Sequence, residues 1–344
     1  MGRTCDDDNP DDISARLEKA TRCVQDEKFL LGASYLEGID PSRLQSAHHH
    51  CLEEASQFKR LLGQVAHHRA EEDGWTKQGD YSQGSHEFTV FYKVDTDTNK
   101  ISCRIETVCH ADMLVPIISV LNESELYSTW IPDWKVPKLH VRKTDKLFQS
   151  GRATQIIDIE TEVQWPLTTR QLILKAVACD NIDGYNEGGA SPSAQGEDGG
   201  RIMIRLQSLD SGCKEIPIPP ARNGICRMSC IGGIVIEKAN DEMASRDQGD
   251  GRKETAEQNR DLITVTLIFS IDPQLKVVPQ SFLNFFFRVA IGSVWCMFLR
   301  VADEVKAEAR PAHLQAIGEK RDLYDWIKER TRAMLQGKIS NLPL

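Results

Sequence analysis

No two cysteines are spaced as CxxC, although the chain carries ten, at positions 5, 23, 51, 103, 109, 179, 213, 226, 230 and 296. That argues against the common zinc-ribbon and dithiol redox spacings. With no secretory apolar region near the start, the expected compartment is the reducing cytoplasm, with most thiols simply buried. Basic charge is also short. Lys and Arg total 42 against 51 Asp and Glu, a formal net charge of −9. A general nucleic-acid binder shows a basic footprint, so no nucleic-acid partner is expected. Long apolar runs are lacking too: the run between Arg288 and Arg300 is eleven residues, against the ~20 that span a bilayer. The patterns GxSxG, HExxH, P-loop and GxGxxG are all absent, so no nucleophile, metal or cofactor site is assigned from a motif. Met1-Gly2 with Cys5 invites acylation, but Asp6 stands where that motif wants Ser or Thr.

What is present is ordinary for a soluble globular protein: 344 residues, 40% hydrophobic and 27% charged. Length allows one large domain and an accessory piece. Residues 1–11 are acidic and expected to be disordered. Residues 12–72 read as a helical hairpin or three-helix unit. Ile13, Leu17, Ala20 and Val24 mark the first helix; Cys51, Ala55, Phe58 and Leu62 mark the last. Its apolar faces must pack on each other or on the domain C-terminal to them. His48-His49-His50 sits on that last helix. Consecutive helical residues point apart, so a solvated face is expected and not a metal site.

From Trp75 the texture changes. A hairpin spans Glu87–Lys93 and Ile101–Cys109 around the turn residues 95–99. Two short helical pieces, 111–121 and 123–130, come next. Strands are expected at 137–143, 153–163, 170–179, 202–209, 224–237 and 262–271, with polar, mobile inserts at 184–200 and 239–260. Strands joined without intervening helices imply an antiparallel sheet. Pro279 opens a helix that runs to about 305 and is apolar on nearly every side, the mark of a helix buried across a sheet. Residues 306–344 hold one amphipathic helix with Leu323, Trp326, Ile327 and Met334. The fold class is therefore α+β: a curved antiparallel sheet packed on a long C-terminal helix, with an apolar cavity between them and helices in front.

Four segments resemble the START lipid-transfer domains of the helix-grip group. Trp130 ends the second short helix after Val120-Leu121-Asn122-Glu123. Trp165-Pro166-Leu167-Thr168-Thr169-Arg170 is similar to that family's W-P turn between two central strands. Cys226–Ile236, with Gly232-Gly233, resembles its strand beside a long loop, and Thr264–Asn284 its last strand and lid helix. The resemblance covers about residues 75–305. It departs at Gln171, where the family commonly has aspartate, and in the longer polar inserts. It implies a cavity that holds one sterol, phospholipid or sphingolipid, for transfer or sensing without catalysis. It also implies transient, peripheral membrane contact.

Strand parity sorts the candidates. Ile157, Ile159 and Thr161 fall on one face of their strand, and Asp158, Glu160 and Glu162 on the other, which is expected to be wet. Leu172, Leu174 and Ala176 share parity on the next strand. With Ile105 and the helix residues Phe282, Phe285, Phe286, Val289 and Met297, these are the expected cavity-lining set. Arg104 and Arg170 are the two candidate headgroup contacts. Arg170 also reads as a salt-bridged anchor of its turn. Two other classes stay open: a helix-grip enzyme, such as a cyclase or hydrolase on an apolar substrate, and a scaffold that binds a protein partner through residues 12–70.

Overall fold

The structure is a computed structural model that describes residues 10–66, 74–95, 97–98, 100–136, 138–164, 168–183, 200–210, 213, 216–239, 261–272, 274 and 280–336, with the backbone alone at 10 and 280–289. The acidic start and most of both polar inserts therefore lie outside the described residues, as do Trp165, Pro166 and Leu167.

Three helices come first: α1 (Pro10–Gln25), α2 (Phe29–Tyr35) and α3 (Ser46–Ala66). The sheet begins with β1 (Thr76–Gln83), β2 (His86–Val94) and β3 (Ile101–His110). Then α4 (Leu114–Asn122) and a 3-10 turn (Ser124–Thr129) lead to β4 (Trp134–Lys135), β5 (Lys138–Ser150), β6 (Thr154–Val163) and β7 (Thr169–Asp180). The strands β8 (Arg201–Ser208), β9 (Ile225–Arg227), β10 (Ser229–Lys238) and β11 (Leu262–Asp272) complete the sheet. Three helices end the described chain: α5 (Gln280–Lys306), α6 (Pro311–Glu319) and α7 (Arg321–Gln336).

Strand order is β1-β2-β3-β11-β10-β8-β7-β6-β5-β4, antiparallel throughout, with β9 parallel beside the start of β7. The last strand thus enters between β3 and β10 and joins two meanders. Strand twist of roughly 20° per neighbour, summed over this order, curls the sheet. Two register shifts within β5 bend its far edge further.

Each face of the sheet has its own core. One packs Ile105, Ile202, Ile234, Ile263 and Val265 against α4, the second half of α5 and α7. Helix α5, ~40 Å long, is held there by specific contacts. The Trp295 indole donates to Thr107 Oγ1 at 2.8 Å, and the Tyr81 ring lies beside Gly292. His86 pairs with Asp303 at 2.7 Å. The other core packs Phe29, Ala33, Ala55, Phe58 and Leu61 of α2 and α3 against Val177, Cys179, Met203, Val235 and Ile268. The N-terminal helices are therefore one layer of the same body, and their apolar faces are consumed by one another and by the sheet.

That second interface also buries charge. Glu54 on α3 meets Arg205 at 2.6 Å and Lys175 at 3.4 Å, all three largely buried. Arg104 lies on this same face. It donates to Glu106 at 2.7 Å and to the carbonyl of Val65 at 2.8 Å. At the sheet's edge Glu27, in a left-handed backbone conformation, caps the β5–β6 turn by accepting from the amides of Arg152 and Ala153. Burial pushes the Glu27 carboxyl above its ordinary value, and these amides partly offset that.

Several expectations need correction. The segment after 306 forms two helices, not one: the chain breaks at Lys320, and α7 returns to clamp the sheet end through Arg330, which bonds Asp180 and Asp183. β1 escapes periodicity because it is a polar edge strand whose one large apolar side chain is Tyr81. His48 is buried, accepting from the Gln45 amide at 3.1 Å and bonding Thr21 at 2.9 Å, whereas His49 and His50 are exposed. Asp158 and Glu160 do share a face away from Ile157 and Ile159, but that face is not wet. Asp158 and Glu160 are both buried, with Arg222 reaching Glu160 and Arg227 of the neighbouring β9 bonding Gln171, which in turn bonds Asp158.

Candidate functional site

Register across β6 and β7 sets Ile157 opposite Leu174, Ile159 opposite Leu172, Gln155 opposite Ala176 and Thr161 opposite Arg170. Directly opposed residues share a face. Lys175, Val177 and Cys179, of the other parity, meet the N-terminal helices. The stripe therefore faces the side of the sheet that carries α4 and α5. Its neighbour on β8 is Ile204, opposite Ala178, which packs on the main core.

The expected lining set divides in two. Ile105 and Met297 sit in or against the filled core beside Trp295, Phe298 and Leu299. Ile157, Leu174 and Ala176 are buried but belong to neither packed cluster, and Ile159 and Leu172 beside them are half-buried. The side chains of Phe282, Phe285, Phe286 and Val289 lie outside the described residues. Ile157, Ile159, Leu172, Leu174 and Ala176 form an apolar stripe outside both packed clusters. Along β6 it runs from Gln155 to Thr161, ~20 Å at strand rise.

Polar groups mark both ends of the stripe. Gln155 is buried, and its Oε1 has no hydrogen-bond partner among the described residues. Arg170, only 7% exposed, donates from Nη1 to the Thr168 carbonyl at 3.2 Å and to Thr168 Oγ1 at 2.9 Å. These bonds reach only two residues back along the chain, and the expected salt bridge is not there among the described residues. Arg104, the other candidate headgroup contact, is on the opposite face, occupied by Glu106 and α3. Lys146 shares the stripe's face and reaches Glu125 at 3.5 Å. Thr161 is legible from strand parity; Gln155 and Lys146 escaped sequence reading, although the parity of β6 itself could have found Gln155.

Nothing in the described chemistry marks a nucleophile. Burial raises the thiols of Cys51, Cys103, Cys109, Cys179 and Cys230 to about 12, so they are protonated at neutral pH. Ser119 bonds His313 Nδ1 at 3.0 Å, but both are buried between α4, α6 and α7 within a network containing Glu123, Lys320 and Tyr324. Among the described residues no three His, Cys, Asp or Glu side chains converge as metal ligands, and no helix is long and apolar enough to cross a membrane.

No protein-family model and no curated sequence matches the chain. Solved structures do. The chain is similar to START-domain structures. Human STARD10 shares 17% identity at a TM-score of 0.46, over 75% of this chain and 84% of that one. Human StAR-related lipid transfer protein 5 shares 12% at 0.43, over 74% and 98%. A STAR-related lipid transfer protein from Xanthomonas axonopodis shares 15% at 0.41, over 67% and 99%.

Proposed function

We propose that the chain binds one lipid molecule along the β6–β7 stripe, beneath the first half of α5, and carries or senses it without covalent chemistry. The observation that supports this is the set Ile157, Leu174 and Ala176: buried, apolar, and outside both packed cores. Apolar side chains withdrawn from water but not built into the core are suited to a guest. Each methylene of an acyl chain gains ~0.8 kcal/mol on leaving water. A covered apolar stripe returns much of what a bilayer supplies, so exchange with a membrane costs little. Release requires α5 or an adjoining segment to move, and contact with the membrane is then transient and peripheral. A reducing cytoplasm remains the expected compartment, since the ten cysteines are scattered with no CxxC spacing. Any protein partner of residues 12–70 would use the outward surfaces of α1–α3.

The test is native mass spectrometry of the full chain purified from cells, followed by titration with fluorescent sterol, phospholipid and sphingolipid. One lipid per chain and saturable binding are expected. Ala176→Trp, which fills the stripe, should lower uptake at least tenfold while the melting temperature holds within a few degrees. No saturable binding in any lipid class would overturn the reading and leave the scaffold in its place.

A further inference from the structure

A cation rarely stays buried in a protein without an anion beside it. Removing a charge from water costs several kcal/mol, and the structure recovers this only through a counter-charge and a full set of hydrogen bonds. Other largely buried cations of the described sheet meet that condition. Arg205 and Lys175 have Glu54, and Arg104 has Glu106. At the end of the sheet, Arg330 has Asp180 and Asp183.

Arg170 does not. It is 93% buried by area, being 7% exposed, yet no carboxylate among the described residues lies within salt-bridge distance. Both of its hydrogen bonds leave from Nη1 and end on Thr168. Its Nε and Nη2, the edge that grips a carboxylate or phosphate in two parallel bonds, are without a partner among the described residues. The chain is not short of acids, with 51 Asp and Glu. The acids near this point on β6 are directed elsewhere. Glu160 takes Arg222 on the covered outer face, and Glu162 takes Lys138 and Arg142. Directly across from Arg170 stands Thr161, and directly after it Gln171, both uncharged.

The position of this cation completes the picture. It is on the same face as Leu172, Leu174 and Ala176, at the end of the stripe, where the β6–β7 pair runs past the last residue of β8. The stripe leading away from it is ~20 Å long, enough for a lipid tail, since each leaflet's share of a bilayer core is ~15 Å.

We propose that Arg170 is the receptor for a phosphate or carboxylate group, and that, given the lipid reading above, the guest is an anionic lipid with its headgroup at Arg170 and its tail along the stripe. The guest supplies the counter-charge that the sheet withholds. The empty chain then carries a buried cation at a cost, and the selectivity follows from that cost: a neutral lipid of the same shape leaves Arg170 as unpaired as before.

The experiment compares two lipids that differ only in the phosphate: fluorescent phosphatidic acid and fluorescent diacylglycerol of the same acyl composition, with the full chain, and with inorganic phosphate as a competitor. Phosphatidic acid is expected to bind at least tenfold tighter, and Arg170→Gln to bring the two within threefold. Arg170→Gln could fail to fold, so a second variant acts from the partner strand. Thr161→Asp places a carboxylate opposite Arg170, within the ~5 Å of a cross-strand pair. It should keep or raise the melting temperature and erase the preference for phosphatidic acid. Equal binding of both lipids to the natural chain, or an unchanged preference in Thr161→Asp, overturns this inference while leaving the lipid reading standing. Saturable binding of inorganic phosphate that Thr161→Asp abolishes, with neither lipid taken up, supports the anion site but assigns it to a free ion and overturns the lipid reading instead. No binding of any of the three overturns both.

Discussion

Replacing Glu54 by alanine removes the one carboxylate shared by two buried cations. Its Oε2 is 2.6 Å from Arg205 Nη2 and its Oε1 3.4 Å from Lys175 Nζ, with side-chain exposures of 5%, 7% and 10% for the three groups. Taking away one partner of a buried pair costs about 3–5 kcal/mol, because the remaining charge stays out of water. Here two cations lose the same carboxylate. Arg205 keeps the Gln207 side chain through Nη1, while its Nε already lacks a partner among the described residues. We therefore expect a loss near the top of that range, a large part of the 5–15 kcal/mol that a domain has. In a thermal scan this is on the order of 10 °C. The control replaces the whole cluster: Glu54→Leu with Lys175→Met and Arg205→Met. Desolvation is then avoided and volume roughly kept, so stability should return to within about 1 kcal/mol of the natural chain or exceed it. Urea titration followed by tryptophan fluorescence measures both. The reasoning fails if Glu54→Ala loses less than 1 kcal/mol and the triple variant is no better. That result would mean α3 does not rest on the sheet in solution, and the shared second core would go with it.

Three further outcomes are expected. Gly233→Ala should destabilise by roughly 1–3 kcal/mol in urea titration, because the added Cβ would sit 2.4 Å from the Ile204 carbonyl and 2.5 Å from Leu61 Cδ2. Thr107→Val keeps the shape but leaves the buried Trp295 indole N–H, now bonded at 2.8 Å, unsatisfied; a cost of about 1–3 kcal/mol is expected, with the melting temperature lowered to match. Burial holds the His313 imidazole below its ordinary 6.5, with Glu123 opposing and Arg310 reinforcing, so the unfolded chain takes up a proton that the folded chain refuses, and stability should fall as pH drops from about 6.5 towards the folded value. His313→Gln should flatten that part of the pH–stability profile, and an unchanged slope between pH 7 and 5 would show that another group carries it.

The alternation in residues 153–163 and 170–179 was sufficient to put Ile157, Ile159 and Thr161 on one face and Leu172, Leu174 and Ala176 on another, because a strand's period of two is a local property of the backbone. The order of strands before one long apolar helix likewise determined the antiparallel α+β architecture, since strands without crossover helices have no other way to pair. Parity alone does not say what covers a face. Asp158 and Glu160 read as solvated, and only the tertiary structure brings Gln171 and Lys143 to Asp158 and Arg222 to Glu160. Arg104 and Arg170 both read as candidate headgroup contacts, Arg170 also as a salt-bridged anchor of its turn. The register with β6 places Arg170 on the inner face, without a carboxylate partner among the described residues, while α3 arrives from about 40 residues upstream to close over Arg104. The polar edge strand β1 and the short helix α6 carry too little apolar periodicity of their own to be read, whereas α7 is legible from its spacing; β1 and α6 take their places from Phe88 on β2 stacked on Tyr81 and from Ser119 bonded to His313. Periodicity lives in adjacent residues and survives in a bare sequence. Counter-charges and packing partners lie tens to hundreds of residues away, and only the folded chain decides which of them meet.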